Sequence, residues 1–217
     1  MERLAFGEPG PTARAPLRGA LLAAALLLAG CGGLENPDLS SGAVAGRIAP
    51  AFPGGKVYLF GRPDLAAPLA ADGSFYLTAP AGPAVLVALD GGAGAGLIGL
   101  VVRGGDITWL GFDPESGAAP VGSADAPPVV LAPAGFLTVT ARSTAGSVLQ
   151  AARFTLAGTD QRDVAPDATG QAKLGPLPAG TFELRAGAPG LAEARLQVEV
   201  VAGQDVARDV TLAAGGG

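Results

Sequence analysis

Period-two alternation of apolar and polar residues is the feature that most constrains the fold of this chain. In residues 181–186 the apolar side chains Phe182, Leu184 and Ala186 alternate with polar ones, so they would face a core while their neighbours face water. Residues 195–200 repeat this pattern. No stretch beyond residue 41 has the apolar stripe of a helix. The sequence therefore predicts an all-β fold.

The composition agrees with many short strands joined by tight turns. Apolar residues make up 49% of the 217 residues and charged residues 15%, which is enough apolar material for packed cores. The 35 glycines and 19 prolines supply the turns between strands. A chain of this kind is expected to form small β-sandwiches.

An internal duplication divides the chain. Residues 80–86 match residues 178–184, and both segments open with Pro-Ala-Gly. Residues 101–107 match residues 200–206 in the same order and at nearly the same offset. Two copies of one β-module are therefore predicted.

The duplication also predicts domain boundaries. The first module is expected at residues 42–133 and the second at residues 134–217. Residues 111–128 are rich in Gly, Ala, Pro and Ser, and we expect them to form a long loop of the first module.

Both halves resemble the carboxypeptidase regulatory-like domains, which are small sandwiches related in architecture to transthyretin and Cna-B modules. In the first half the family pattern is matched by Gly-Ala-Val-Ala-Gly at 42–46, an apolar strand at 56–60, Asp-Gly-Ser-Phe at 72–75 and Pro-Ala-Gly at 80–82. In the second half, Leu-Pro-Ala-Gly at 177–180 keeps the pattern, whereas Ala-Thr-Gly-Gln at 168–171 departs from it. The resemblance implies Ig-like or transthyretin-like sandwiches that serve as structural or binding modules without catalytic residues of their own.

The first thirty residues have the pattern of a bacterial lipoprotein signal peptide. Two arginines precede an apolar run at residues 20–29, which is shorter than the roughly 20 residues that span a bilayer. The run ends in a sequence that resembles the lipobox, formed by Leu28, Ala29, Gly30 and Cys31. The resemblance implies cleavage before Cys31 and lipidation of that cysteine. An ordinary secretory signal followed by a coincidental cysteine is the alternative.

Lipidation of Cys31 would anchor the mature protein to a membrane that it does not span. Residues 31–41 lack periodicity and contain turn-forming residues, so they are expected to form a lipidated tether. Gly32 follows the cysteine in place of Asp, which by analogy with a sorting rule of some Gram-negative lipoproteins favours the outer membrane.

The residue types that are absent exclude several kinds of chemistry. The chain has no His and Cys31 is its only Cys, so it lacks the usual ligands of zinc, copper and iron, and the usual bases for an activated Ser or Cys nucleophile. Once residues 1–30 are removed, 11 basic and 17 acidic residues remain, for a net charge of −6, which argues against nucleic-acid binding. We expect no cofactor and no catalytic activity; a carboxylate pair or a Ser/Lys dyad is the catalytic chemistry that these residue types leave open.

Three aspartates form an acidic segment in the second half. The oxygen ligands of Asp160, Asp163 and Asp167 are of the type that Ca²⁺ prefers, although their spacing does not match an EF-hand loop. The alternative is a solvated acidic loop whose aspartates form turns.

Four aromatic residues are candidates for contact with a glycan. Tyr58 and Phe60 share one face of a predicted strand, Tyr76 is expected on a neighbouring strand, and Trp109 follows later. Sugar rings could stack on such a platform. Packing within a core or between domains is the alternative, because aromatics are only 5% of the chain.

Together these observations predict a lipid-anchored lipoprotein of the bacterial cell envelope. Its non-catalytic β-sandwich modules would act as a structural or interaction scaffold with an envelope protein or glycan as partner. The alternatives are a glycan-binding or adhesion module and an accessory subunit of an envelope enzyme.

Overall fold

The computed structural model describes residues 39–110 and 127–215, and these residues fold into two β-sandwiches without a helix. The predicted all-β class is confirmed. The described residues all belong to one structural unit. The predicted signal peptide, Cys31 and residues 111–126 of the predicted loop lie outside the described residues.

The first sandwich packs a three-stranded sheet in the order β4-β1-β7 against a sheet in the order β3-β2-β5-β6-β8. Strand β1 is central in the first of these, antiparallel to β4 and parallel to β7. Its described strands are Ser41–Arg47 (β1), Lys56–Leu59 (β2), Arg62–Pro68 (β3), Ser74–Pro80 (β4), Gly82–Leu89 (β5), Gly94–Val102 (β6), Ile107–Trp109 (β7) and Ala132–Pro133 (β8).

The second sandwich has sheets in the orders β11-β9-β14 and β10-β12-β13. Its described strands are Gly135–Ser143 (β9), Arg153–Leu156 (β10), Gln171–Leu177 (β11), Gly180–Gly187 (β12), Ala194–Val200 (β13) and Asp205–Leu212 (β14). Strand β9 repeats the arrangement of β1, because it lies between an antiparallel strand, β11, and a parallel last strand, β14. The duplication in the sequence is thus a duplication of strand order.

Each sandwich has its own apolar core, built from the inward positions of the alternating strands. Val44, Val57 and Leu86 are fully buried in the first core. Phe182, Leu184 and Ala186 are buried in the second, as their alternation predicts, together with Phe154, Leu174 and further side chains from all of its strands. These buried faces hold the paired sheets together.

Matching turns lead into β4 and β11. Gly73 has φ of 82° and Gly170 has φ of 85°, a left-handed conformation that other residues adopt at a cost. Oδ1 of Asp72 accepts hydrogen bonds from the backbone N–H and hydroxyl of Ser74, at 3.0 and 2.7 Å. In the second copy, Oδ1 of Asp167 accepts the equivalent hydrogen bonds from the backbone N–H and hydroxyl of Thr169. This aspartate lies one position before residues 168–171, the segment in which the sequence departs from the family pattern.

The structure corrects the expected position of Tyr76 beside the strand of Tyr58. Tyr76 lies on β4, which pairs with β1, whereas Tyr58 lies on β2 in the other sheet of the same sandwich. Strand alternation fixes which face a residue occupies but not which strand lies beside it.

Candidate functional site

A polar contact joins the two sandwiches at the start of β2. The Lys56 Nζ atom lies 2.5 Å from Oδ2 of Asp160, and the Tyr58 hydroxyl donates a hydrogen bond to Oδ1 of Asp160 at 3.3 Å. Asp160 belongs to the turn after β10, so these bonds connect residues that are more than a hundred positions apart. We call the region of these bonds, together with the adjoining ring pair of Phe60 and Phe182, the junction.

Aromatic rings form the apolar part of the junction. The rings of Phe60 and Phe182 have centroids 6.1 Å apart and are tilted at 51°, a geometry typical of favourable aromatic pairs. Tyr58 points away from the first core and is 1% exposed, in a small apolar cluster that includes Val87 and Ala134. The outward face of β2 is therefore covered where the second sandwich meets it.

Backbone contacts complete the junction. The N–H of Gly61 donates to the carbonyl oxygen of Gly158 at 2.8 Å, across the two sandwiches. Only Ala134 separates β8 from β9, and it is buried. The two sandwiches are therefore connected in two ways, covalently at Ala134 and non-covalently through the junction.

The junction changes the titration of its two acidic groups. Burial, followed by the nearby charge of Asp160, raises the pKa of the Tyr58 hydroxyl well above its usual range. Partial burial alone would raise the pKa of the Asp160 carboxyl, but hydrogen bonds from Lys56 and Gln161 outweigh it, and the pKa lies below its ordinary value. Tyr58 is therefore a neutral hydrogen-bond donor and Asp160 an ionised acceptor at neutral pH.

A second surface, on the sheet β4-β1-β7, carries both Tyr76 and Trp109. Ala45 on β1 is the register partner of Tyr76 on one side and of Trp109 on the other, so all three share one face. With strands about 4.8 Å apart, the two aromatic residues are separated by roughly 10 Å across the alanine. Tyr76 is 59% exposed, Trp109 is half-buried, and Ser74 lies beside them in a shallow depression. We call this surface the Tyr76–Trp109 face.

The four predicted aromatic contacts therefore do not form one platform. Tyr58 and Phe60 lie at the junction, in the alternative role of packing between domains that the sequence left open. Tyr76 and Trp109 share the outer face of the other sheet and remain accessible.

The three acidic candidates for calcium are engaged separately. Asp160 bonds to Lys56 and Tyr58, while Asp167 closes its own turn. Asp163 lies in a different depression, near Arg153 and Arg185. Among the residues that the structure describes, no group of three His, Cys, Asp or Glu side chains is arranged to hold a metal ion.

Several charged side chains elsewhere on the second sandwich are paired with each other. Lys173 Nζ lies 2.8 Å from Oδ2 of Asp205, and it also lies 4.6 Å from the centre of the Phe136 ring. Arg185 Nε lies 2.6 Å from an oxygen of Glu183. Such exposed pairs contribute little to stability.

The polar contact between Lys56 and Asp160 is the part of the junction that sequence reasoning missed. Lys56 and Asp160 carry no local motif, because each is an ordinary polar residue at the end of a strand or in a turn. The available signal was Tyr58 and Phe60 on the outward face of a strand whose other face, Val57 and Leu59, is also apolar. A strand that is apolar on both faces is typical of one covered on both sides.

Comparisons with known proteins give no family for this chain. No family model matches it, and no curated protein matches it. No helix in the described part of the chain is long and apolar enough to cross a membrane.

Solved structures share only a distant likeness of fold. The Bacillus anthracis TIE protein is 17% identical to this chain, with a TM-score of 0.34. The match covers 81% of this chain but only 34% of the TIE protein, so this chain spans about a third of that protein's length. The minor pilin GBS52 of Streptococcus agalactiae is 12% identical over 81% of this chain and 97% of that chain, also with a TM-score of 0.34. The major pilin subunit BcpA of Bacillus cereus is 14% identical over 75% of this chain and 55% of that chain, with a TM-score of 0.33.

Proposed function

We propose that this protein is a lipid-anchored spacer of the bacterial cell envelope, in which two non-catalytic sandwiches, at residues 42–133 and 134–217, present binding surfaces close to the membrane. The observation that carries the proposal is the junction, because Lys56, Asp160 and the Phe60–Phe182 ring pair join the sandwiches directly. Two sandwiches in direct contact behind a short tether would hold a partner close to the membrane.

The anchor in this proposal is Cys31, supported by the lipobox-like sequence that ends the apolar run. A short tether then leads to β1, which begins at Ser41. Several acyl chains on one residue would hold the protein firmly, whereas a single chain binds only reversibly.

The test is to express the full chain with a C-terminal tag in a Gram-negative host and to separate its membranes by density. We expect the parent chain to carry acyl mass and to enter the outer-membrane fraction, and Cys31→Ser to carry none. Gly33→Ser is the matched control, because it alters a neighbouring residue and leaves the lipobox intact. Gly32→Asp should move the protein to the inner membrane. A parent chain that is soluble and unmodified would overturn the anchor.

A second candidate function is glycan binding at the Tyr76–Trp109 face. It is favoured by the two rings on either side of the buried Ala45, with Arg47 and Ser74 next along the same face. Aromatic faces stack on sugar rings, and nearby polar groups can bond their hydroxyls. Because Trp109 is the only tryptophan, its fluorescence reports directly on this face.

Titration with cellohexaose, chitohexaose and maltohexaose tests this candidate. A shift in Trp109 fluorescence that saturates, and that Tyr76→Ala weakens at least tenfold, would support it. Phe52→Ala removes an aromatic side chain of similar exposure, 47%, outside the face and should leave the titration unchanged. No shift with any of the three sugars would count against it.

A further inference from the structure

Strand β6 has an open edge. It pairs with β5 along its whole length, from Gly82↔Val102 to Leu89↔Ala95. On its other side, β8 covers only Gly94 and Ala95. Within residues 39–110 and 127–215, no strand pairs with residues 96–102 on that side.

The backbone of β6 is oriented for pairing at this edge. The N–H of Asp90 donates to the carbonyl oxygen of Gly94, which directs the backbone of Gly94 toward β5. In an antiparallel ladder alternate residues bond to the same neighbour, so the N–H and C=O groups of Leu97 and Gly99 point to the open side. The Ala95↔Ala132 pair with β8 agrees with this alternation.

Within the described strands, three of the devices that usually protect such an edge are absent from β6, namely charge, proline and a bulge. Neither β5 nor β6 contains a charged residue, β6 contains no proline, and the register between the two strands is unbroken. Leu97 is 40% exposed and Val101 is 62% exposed, on the outer face of the sheet. A side chain built at Gly99 would meet no atom within 4 Å, so the surface between them is open.

The residues along this edge are complementary to a second copy of themselves. If β6 pairs antiparallel with β6 of another copy about a two-fold axis at Gly99, Leu97 lies opposite Val101 of the other chain. Ile98 then lies opposite Leu100 on the inner face. The apolar spacing is the same in both directions from Gly99, which is what an isologous contact requires.

Charge and location both favour a copy of this chain as the occupant. The protein has 19 acidic and 14 basic residues, so its net negative charge makes two copies repel each other. A strand without charged residues is a place where two copies can meet with less repulsion. The edge also borders the junction, because the Leu97 side chain lies next to Gly180 of the second sandwich. Pairing would extend an apolar surface that is already partly buried.

We propose that residues 97–101 of β6 form a homodimerisation edge, at which two copies of the chain pair antiparallel through β6 with Gly99 opposite Gly99. This inference does not depend on the lipid anchor or on glycan binding.

The test uses charge at the two-fold position, in the full chain carrying Cys31→Ser. Gly99→Lys places two like charges directly opposite each other, and so does Gly99→Asp. We expect the parent to sediment as a dimer, each variant to dissociate at least tenfold more readily, and an equimolar mixture of the two to recover the dimer. Tyr76→Lys adds the same charge at another exposed position, on the other sheet of the same sandwich, and should remain dimeric.

A disulfide checks the register. In the same Cys31→Ser chain, Gly99→Cys supplies the only thiol, and a hydrogen-bonded antiparallel pair brings the two Cα atoms to about 5.5 Å, within disulfide range. Oxidation should give a crosslinked dimer for Gly99→Cys and none for Tyr76→Cys. A parent chain that is monomeric at every concentration, variants at Gly99 that remain dimeric, or a Gly99→Cys chain that does not crosslink would each overturn the proposal.

Discussion

At the scale of single residues, the junction depends on how closely the two sandwiches approach at Gly158. This glycine has φ of 84°, its carbonyl accepts the N–H of Gly61, and the Phe60 ring lies against its Cα. A side chain at Gly158 would collide with three carbons of that ring. Glycine is required here for two separate reasons, backbone conformation and space.

Gly158→Ala should therefore destabilise the protein more than an equivalent change elsewhere. Gly146 has φ of 85° and a methyl group there would meet no atom within 4 Å, so Gly146→Ala should cost only the left-handed backbone, about 1 kcal/mol. Gly158→Ala should cost about 1–3 kcal/mol more, because the Phe60 ring must move. Urea unfolding of both variants measures the difference. Equal losses would mean that the ring yields freely.

Asp160 is the second residue on which the junction depends, because it is the acceptor for a buried hydroxyl. Asp160→Ala should lower the free energy of unfolding by about 1–2 kcal/mol, mainly by leaving the Tyr58 hydroxyl unpaired. The ion pair with Lys56 adds less, since that lysine is 40% exposed. In the Tyr58→Phe background the cost of Asp160→Ala should fall by at least half. A double-mutant cycle from urea unfolding checks this coupling.

The contribution of Asp160 should also depend on pH. Its pKa is lower in the folded protein than in the unfolded chain, so its ionisation stabilises the fold fully above the unfolded value, about 4, and this stabilisation is lost as the pH falls through the folded value. The stability gap between the parent and Asp160→Asn should be constant near neutrality and shrink in acid. A gap that stays constant down to the lowest accessible pH would contradict the assignment.

At the scale of elements, alternation in the sequence predicts strands well and their neighbours poorly. Residues 181–186 and 195–200 are strands in the structure, and Phe182, Leu184 and Ala186 face the core. Which strand lies beside which depends on contacts between distant residues, and Tyr76 was misplaced for that reason. The parallel pairing of β1 with β7 and of β9 with β14 also has no local signal, since the partners are far apart in sequence.

For the candidate sites, too, the sequence predicts the residue types but not which residues the fold brings together. Residue type suggested that Tyr58, Phe60, Tyr76 and Trp109 were of interest, but only the fold separates them into a junction pair and an exposed pair. Asp160 was predicted as a candidate calcium ligand or a solvated loop residue, and its bond to Lys56 depends on the docking of two sandwiches that no short segment encodes.

Strands β7 and β14, each of which pairs in parallel with the first strand of its sandwich, should differ in local stability. Strand β7 pairs with β1 at three positions, with Ile107 exposed, whereas β14 pairs with β9 at eight positions and buries Val210 and Leu212. Fewer buried contacts lower the free energy of local opening. Hydrogen exchange should therefore be faster for amides of β1 and β7 that bond to each other than for those joining β9 and β14. Equal protection of both pairs would contradict this expectation.

At the scale of the whole molecule, the junction couples two cores that are otherwise separate. Each core is built from its own strands, and the Phe60–Phe182 ring pair and the Lys56–Asp160 contact cross between them. If these contacts form one cooperative unit, calorimetry should show a single unfolding transition. Phe60→Ala, which removes the ring contact, should split or broaden it into two. Leu39→Ala, at an exposed residue outside the junction, is the control and should leave the transition single.

The parallel pairing of β14 with β9 also determines how the second sandwich responds to a mechanical load. Strands β9 and β14 run in the same direction over eight register pairs, from Asp205↔Phe136 to Leu212↔Ser143. A pull that separates the start of β9 from the end of β14 therefore slides one strand along the other and loads all of their hydrogen bonds together, whereas an antiparallel hairpin pulled from its open ends breaks its bonds one at a time. Under such a pull the second sandwich is loaded in shear along these two strands.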